Sequence, residues 1–278
     1  MATYNYDFVN DKFRDEVIRK TKQNCLIDTP LKANCYQNAY VFPFKEGQRG
    51  EVVTADGITL ASDFKEKTSI DKFDTTNLQH GKKAIFVGSL WIYIWGHCFT
   101  DHFNKAWFVL TEECKRLQEE GAELVFISCT TNVPKYIQLI FHYAGIDLDK
   151  VRMITEPTIF EELYVPENCY FHTPDKWHRF YTKEYLPLLE NIRKNVIEEA
   201  ERDGNFPVYE KIYLTRTQGK FGSLWKDLGE KAIENAFAKE GYTVIAPEKH
   251  TVAQQFWMMM NCKQLVATDG SICHASCF

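Results

Sequence analysis

The sequence predicts an α/β fold built from two doubly wound units. From Lys82 onward, short apolar runs rich in Val, Ile and Phe alternate with amphipathic helical patterns, which is typical of parallel strands covered by helices. Several of these helical patterns end at a glycine, such as Gly121 and Gly145, which is the usual residue at a helix C-terminus. The alternation stops at Asp203-Gly204-Asn205 and then begins again, which indicates a second unit.

The first predicted domain covers residues 1–205, and its first part, 1–80, is a β-rich flank. In this flank Ala55-Asp56-Gly57 is a hairpin turn signal between two short strand patterns. The strands predicted after the flank are 84–87, 123–128 and 151–154. The helices predicted between and after them are about 98–120, 134–143 and 182–202.

The second predicted domain, 206–278, repeats the pattern. Its predicted strands are 211–216, 242–246 and 265–268, and its predicted helices are 228–239 and 251–261. The sequence ends at Phe278, just after Asp269-Gly270-Ser271 begins another helix, so we expect an incomplete Rossmann-like domain. Such a domain would leave the apolar side chains of Phe256, Met259 and Val266 uncovered.

Composition limits the classes of function. The net charge is −5 and the pI is about 5.9, with Lys and Arg scattered, which argues against a protein that binds nucleic acid through its phosphates. The nine cysteines include no C-x-x-C pair, and there is no signal peptide pattern, so we expect reduced thiols and a cytoplasmic protein. No apolar run approaches the length of a transmembrane helix.

The stretch from Trp91 to Leu110 carries the densest group of candidate functional residues. It follows a predicted buried strand, and open α/β sheets bind ligands where such strands end. On a helix, His97, Asp101 and Lys105 would share one face, because they are spaced four apart. The alternative interpretation is structural, in which the aromatic residues fill the core and Asp101 caps the helix.

Four short motifs in this order resemble those of glycosyltransferase family 61, which includes capsular polysaccharide enzymes. Gly96-His97-Cys98-Phe99-Thr100-Asp101 is similar to its G-H-F-x-x-D motif, and Tyr213-Leu214-Thr215-Arg216 is similar to its Y-x-x-R strand. Gly241-Tyr242-Thr243-Val244-Ile245 resembles its G-F/Y-x-V-V strand, and Asp269-Gly270-Ser271 resembles its H-G-A turn. The resemblance covers roughly residues 40–278, and the joint order is more specific than any one motif.

The resemblance implies a GT-B-like enzyme with two Rossmann-like domains, inverting and independent of metal or cofactor. Its partners would be a nucleotide-sugar donor and a glycan or lipid-linked saccharide acceptor, with peripheral association with the inner membrane and no nucleic acid. Asp101 is the implied base, and His97 and His102 would orient it, hold the acceptor or share its role. The residues implied to bind the donor are Arg216, Lys220, Glu230, Asp269, Gly270 and Ser271.

The chain departs from the family pattern in the donor half. Asp269 stands where the family has histidine, Gly229 precedes Glu230 in place of asparagine, and Ala275 stands near a common asparagine. The family also continues beyond the H-G-A turn, which indicates truncation at the C-terminus. The alternative function is therefore a non-catalytic saccharide-binding or scaffold module.

Two metal sites are weaker alternatives. The D-x-D pattern of Asp147 and Asp149 is the type that metal-dependent glycosyltransferases use. The second candidate combines His97, Asp101 and His102, but no fourth ligand lies nearby in the sequence.

Overall fold

The computed structural model describes residues 11–21, 24–45, 50–60, 68–130, 132–172, 179–217, 229–268, 270–271 and 274. Across these residues the protein is mixed α/β with three sheets, and one sheet curls into a half-barrel. The α-helices in this part of the chain are α1 (Asp11–Thr21), α2 (Glu112–Glu119), α3 (Lys135–Tyr143), α4 (Leu186–Asp203), α5 (Glu230–Lys239) and α6 (Val252–Asn261).

The strands of the described ranges are β1 (Leu26–Ile27), β2 (Ala33–Phe42), β3 (Glu51–Val53), β4 (Gln79–Leu90), β5 (Glu123–Ser128), β6 (Arg152–Ile154), β7 (Thr158–Pro166), β8 (Tyr170–His172), β9 (Arg179–Thr182), β10 (Lys211–Leu214), β11 (Thr243–Ile245) and β12 (Gln264–Ala267).

The largest sheet has six strands in the order β3-β2-β7-β4-β5-β6. Strands β7, β4, β5 and β6 run parallel, as predicted for a doubly wound unit. Strands β2 and β3 join antiparallel, and β2 pairs with β7 along most of its length. The parallel sheet expected for this unit is therefore mixed, because β2 and β3 from the predicted flank join it.

The second unit begins with a parallel sheet in the order β11-β10-β12, which confirms the three strands predicted there. Helix α6 connects β11 to β12 and begins with a capping box between Thr251 and Gln254. Whether the chain divides into domains at residue 205 remains a prediction.

The second unit packs directly on the first. Phe256 of α6 is fully buried, with its ring centroid 5.6 Å from that of Trp95 and 5.9 Å from that of Phe99. Met259 is also buried, and α6 lies against α4 and α3. The expectation that Phe256 and Met259 would be uncovered is wrong, because the first unit covers the helix that carries them. Val266 is half-buried.

The predicted helix over 98–120 is broken into three pieces. A 3-10 helix (Trp95–Phe99), a run of turns and a second 3-10 helix (Ala106–Leu110) precede α2. At the break, the carbonyl of Asn104 accepts a hydrogen bond from the backbone N–H of Cys169 at 2.9 Å, in place of the bond from the N–H four residues on that an α-helix would have. The predicted core residues Phe99, Phe103 and Trp107 are nevertheless buried.

The turns of this segment hold the β8–β9 hairpin in place. The side-chain Oδ1 of Asn104 accepts a hydrogen bond from the backbone N–H of Tyr170 at 2.9 Å. The buried Nζ of Lys105 donates to the carbonyl of Pro166 at 2.9 Å and to Oδ1 of Asn168 at 2.6 Å. These contacts fix the position of the hairpin relative to the chain that carries His97.

Replacing Asn104 by Ala is expected to destabilise the protein by about 1–3 kcal/mol, because the buried N–H of Tyr170 loses its acceptor. Chemical denaturation measures the change. Asn261→Ala is the matched control, since the side chain of Asn261 is exposed and bonds only within its own helix. Equal stability of the two variants would show that Asn104 does not hold the hairpin.

Candidate functional site

His97 lies just beyond the carboxyl end of β4, on the 3-10 helix Trp95–Phe99. Its carbonyl accepts hydrogen bonds from the N–H groups of Thr100 at 3.3 Å and His102 at 3.0 Å. These bonds fold the chain back, so that Asp101 comes beside the His97 ring. A continuous helix was therefore not needed to bring this pair together.

His97 and Asp101 form the central contact of the site. Nδ1 of His97 and Oδ2 of Asp101 share a short hydrogen bond, and both side chains are roughly 30% exposed, at 31% and 28%. Trp91 also donates a side-chain hydrogen bond to Asp101, and its ring meets the His97 ring edge-on with centroids 4.8 Å apart. The carboxylate is thus held from two sides.

The balance of forces on Asp101 favours its ionised form. Burial alone would raise its pKa. The hydrogen bond and charge of His97, with the hydrogen bond from Trp91, outweigh burial, so the pKa is lowered. Asp101 is therefore a carboxylate at neutral pH.

His102 is placed differently from the other two predicted catalytic residues. Its side chain is completely buried, with its ring centroid 6.1 Å from that of His97, and it does not line the cleft. Within the described part of the chain, neither ring nitrogen has a hydrogen-bond partner. Burial lowers the pKa of His102 to about 3, so this imidazole is neutral.

A cleft of about 420 Å³ opens over the His97–Asp101 pair, and both units line it. Trp91 and Gly96 line it from the first unit, and Ser271 and His274 line it from the second. A β-carbon at Gly96 would lie 2.5 Å from Cδ2 of His274 and 3.2 Å from the Cα of Ser271, so a larger residue would force one of them to shift. The two units therefore come close together beside His97.

Arg216 follows β10 and lies near the same edge of the cleft. A β-carbon built on Gly270 would stand 3.5 Å from Nη1 of Arg216, so this guanidinium adjoins the turn that carries Ser271. Ser271 lines the cleft together with His97 and Asp101, and Arg216 and Gly270 lie next to Ser271 without lining the cleft themselves.

Glu230, also predicted to bind the donor, lies on the buried side of β10. Its Oε1 accepts a hydrogen bond from the hydroxyl of Tyr213 at 2.7 Å, and its Oε2 has no partner in the described ranges. Glu234, which the sequence analysis missed, accepts from the hydroxyls of Thr215 at 2.9 Å and Thr217 at 2.7 Å. It therefore fixes the chain on both sides of Arg216.

Two predicted donor residues, Lys220 and Asp269, lie outside the described residues. Asp147 and Asp149 are described, and they form an ordinary cap in which Asp147 accepts from the N–H of Asp149 at 3.1 Å. Neither lines the cleft. In the part of the chain that the structure covers, no cluster of three His, Cys, Asp or Glu side chains is arranged to hold a metal ion.

Three residues of the cleft were not predicted. Tyr170 and Arg179 come from the β8–β9 hairpin, and His274 is the last residue that the structure describes. Tyr170 and Arg179 lie far from His97 in the sequence and in no motif, so only the docking of the hairpin reveals them.

A family model described as Glycosyltransferase 61 matches residues 95–278, which is more than half of the chain. The match contains both the His97–Asp101 pair and the turn at Gly270-Ser271. The chain therefore belongs to glycosyltransferase family 61 and is a glycosyltransferase, as the motifs predicted. The capsule-type assignment and the C-terminal truncation remain predictions.

No curated protein and no solved structure shows significant similarity to the chain. None of the helices that the structure describes has the length and apolar character needed to cross a membrane.

The buried His102 predicts a specific loss of stability in acid. In the unfolded chain its pKa is about 6.5, whereas in the folded protein it is about 3. Between these values the unfolded state binds one more proton, so stability falls as the pH falls. The loss is on the order of 1.4 kcal/mol per pH unit.

His102→Leu removes this proton uptake without leaving a polar group unpaired. Urea unfolding across this pH range should therefore show a shallower loss of stability for His102→Leu than for the wild type. His80→Gln, which removes an exposed histidine, is the control for the substitution of a histidine as such. Parallel stability curves for the wild type and His102→Leu would mean that His102 is not buried in its neutral form.

Proposed function

We propose that this chain transfers a sugar from a nucleotide-sugar donor to a hydroxyl of a glycan or lipid-linked saccharide, as a hexosyl- or pentosyltransferase. It acts in capsule or exopolysaccharide biosynthesis, in the cytoplasm with peripheral association with the inner membrane. The reaction inverts the anomeric centre, needs no metal, and uses a GT-B arrangement. The observation that supports this most is the His97–Asp101 pair, which faces Ser271 and His274 of the other unit across one cleft.

The pair supplies the base for the acceptor hydroxyl. Nδ1 of His97 donates to Asp101, which leaves Nε2 to accept the proton of the hydroxyl. Asp101 then stabilises the imidazolium, in the manner of other His–carboxylate pairs. The lowered pKa of Asp101 makes it a weak base by itself, and this favours His97 as the proton acceptor.

The steps balance without any further reactant. The acceptor O–H bond breaks as its oxygen bonds to the anomeric carbon, and the proton passes to His97. The bond from the anomeric carbon to the donor phosphate breaks, and the nucleoside diphosphate leaves with the electron pair. Arg216 and the backbone N–H groups near Gly270 and Ser271 offer positive charge and hydrogen bonds to this diphosphate.

His102 acts through its neighbours in this scheme, because it has no access to the cleft. Its ring is neutral because burial lowers its pKa, so it fills the space beside the pair without adding a charge. Glu230 supports β10 from behind, since its contact is with Tyr213.

Asp101→Asn should lower turnover by about 10²-fold or more, because the amide keeps the shape but neither acts as a base nor stabilises the imidazolium. The assay measures sugar transfer, or nucleotide-sugar hydrolysis if the acceptor is unknown. Asp147→Asn is the matched control, since it makes the same chemical change at a cap outside the cleft. Near-normal turnover of Asp101→Asn would defeat this assignment, and loss of activity in Asp147→Asn would favour a metal site at the D-x-D pattern.

His97→Gln separates the two possible bases. If His97 takes the proton, His97→Gln loses as much turnover as Asp101→Asn, and the double variant loses little more. Retained turnover in His97→Gln would move the role of base to Asp101. Sugar binding without any transfer or hydrolysis by the wild type would support the non-catalytic module instead.

A further inference from the structure

Arg179 is the one strongly basic side chain among the residues that line the described cleft, and neither the motifs nor the family match gives it a role. It is exposed, on the first residue of β9. Across the same hairpin, Tyr170 lines the cleft beside it and is almost completely buried. Tyr170 and Arg179 therefore line the cleft from the first unit.

The strand that carries Arg179 is held firmly. Tyr181, two residues further along β9, packs its ring against Tyr170 with centroids 4.9 Å apart, and it pairs with Leu26 of β1. The N–H of Thr182 donates to the carbonyl of Cys169 at 2.9 Å. Together with the contacts of Asn104, these bonds fix the backbone at Arg179 relative to His97 and Asp101.

Among the described residues, the charge of Arg179 has no counterion. Throughout the residues that the structure describes, no ion pair or side-chain hydrogen bond joins the Arg179 guanidinium to another group. The carboxylate of the cleft, Asp101, is already engaged by His97 and Trp91. A guanidinium that lines a cleft without an ion-pair partner attracts an anion, and its planar arrangement of N–H donors matches a carboxylate or a phosphate.

We infer that Arg179 binds an anionic group of the acceptor, so that the acceptor sugar carries a carboxylate or a phosphate close to the reacting hydroxyl. This inference rests on the proposed function, in which Arg216 and the turn at Gly270-Ser271 bind the donor diphosphate. The anion at Arg179 then belongs to the acceptor, because Arg179 lies on the first unit, as His97 does.

The test is the binding of small sugar probes to the full chain, measured by calorimetry or ligand-observed NMR. Methyl glucuronide and methyl glucoside differ only in a carboxylate, and glucose 6-phosphate adds the phosphate arm. The wild type should bind at least one anionic probe about 10- to 100-fold more tightly than methyl glucoside, which is the usual effect of a hydrogen bond to a charged group. The preference should weaken at high salt.

Arg179→Gln should abolish this preference, and Arg179→Lys should keep part of it, because charge remains but the planar arrangement of N–H donors is lost. Arg193→Gln is the matched control, since Arg193 is exposed on α4 in a separate groove. A preference for the carboxylate probe would identify a uronic-acid type of acceptor, and a preference for the phosphate probe alone would identify a phosphorylated one.

Two results would overturn the inference. One is equal binding of the charged and neutral probes by the wild type. The other is a preference that survives in Arg179→Gln but disappears in Arg216→Gln, which would place the anion in the donor site. Nucleotide-sugar hydrolysis is measured on the same wild-type sample. Absence of hydrolysis with an intact Arg179-dependent preference would count against the proposed function and not against the anion subsite.

Discussion

The irregular chain between Trp95 and Leu110 connects every part of the cleft. This segment is not a continuous helix. The side chain of Asn104 accepts a hydrogen bond from the backbone of Tyr170 in β8, and that of Lys105 donates to the carbonyl of Pro166, just before β8. The apolar side chains of the segment pack on the second unit, where Phe99 meets Phe256 of α6. The same short segment thus fixes the β8–β9 hairpin, the second unit and the His97–Asp101 pair relative to one another.

The charged side chains at the cleft differ from one side to the other. Asp101 is held as a carboxylate by His97 and Trp91, and in the proposed mechanism it prepares His97 to accept a proton. Arg216 adjoins the turn at Gly270, and Arg179 stands on the hairpin without a counterion in the described residues. Two guanidinium groups on two different units suit a reaction with two anionic partners, a donor diphosphate and a charged acceptor.

The sequence predicted the local elements well where periodicity and glycine caps were strong, as for the helix ending at Gly204 and the three parallel strands of the second unit. It also predicted the His97–Asp101 contact, although from a helix that does not exist. The antiparallel strands and the contribution of Arg179 and Tyr170 were missed, because they depend on long-range pairing and docking that leave no local pattern. The buried state of Phe256 was missed for the same reason, since the first unit supplies its partners.

A crystal structure of the protein with a nucleoside diphosphate bound tests the central claim most directly. We expect the diphosphate oxygens to lie within hydrogen-bond reach of Arg216 and of the backbone N–H groups near Gly270 and Ser271. The terminal phosphate should then point across the cleft toward His97 and Asp101, with Arg179 left for the acceptor. A nucleotide bound outside this cleft, or one whose terminal phosphate faces away from the His97–Asp101 pair, would contradict the account.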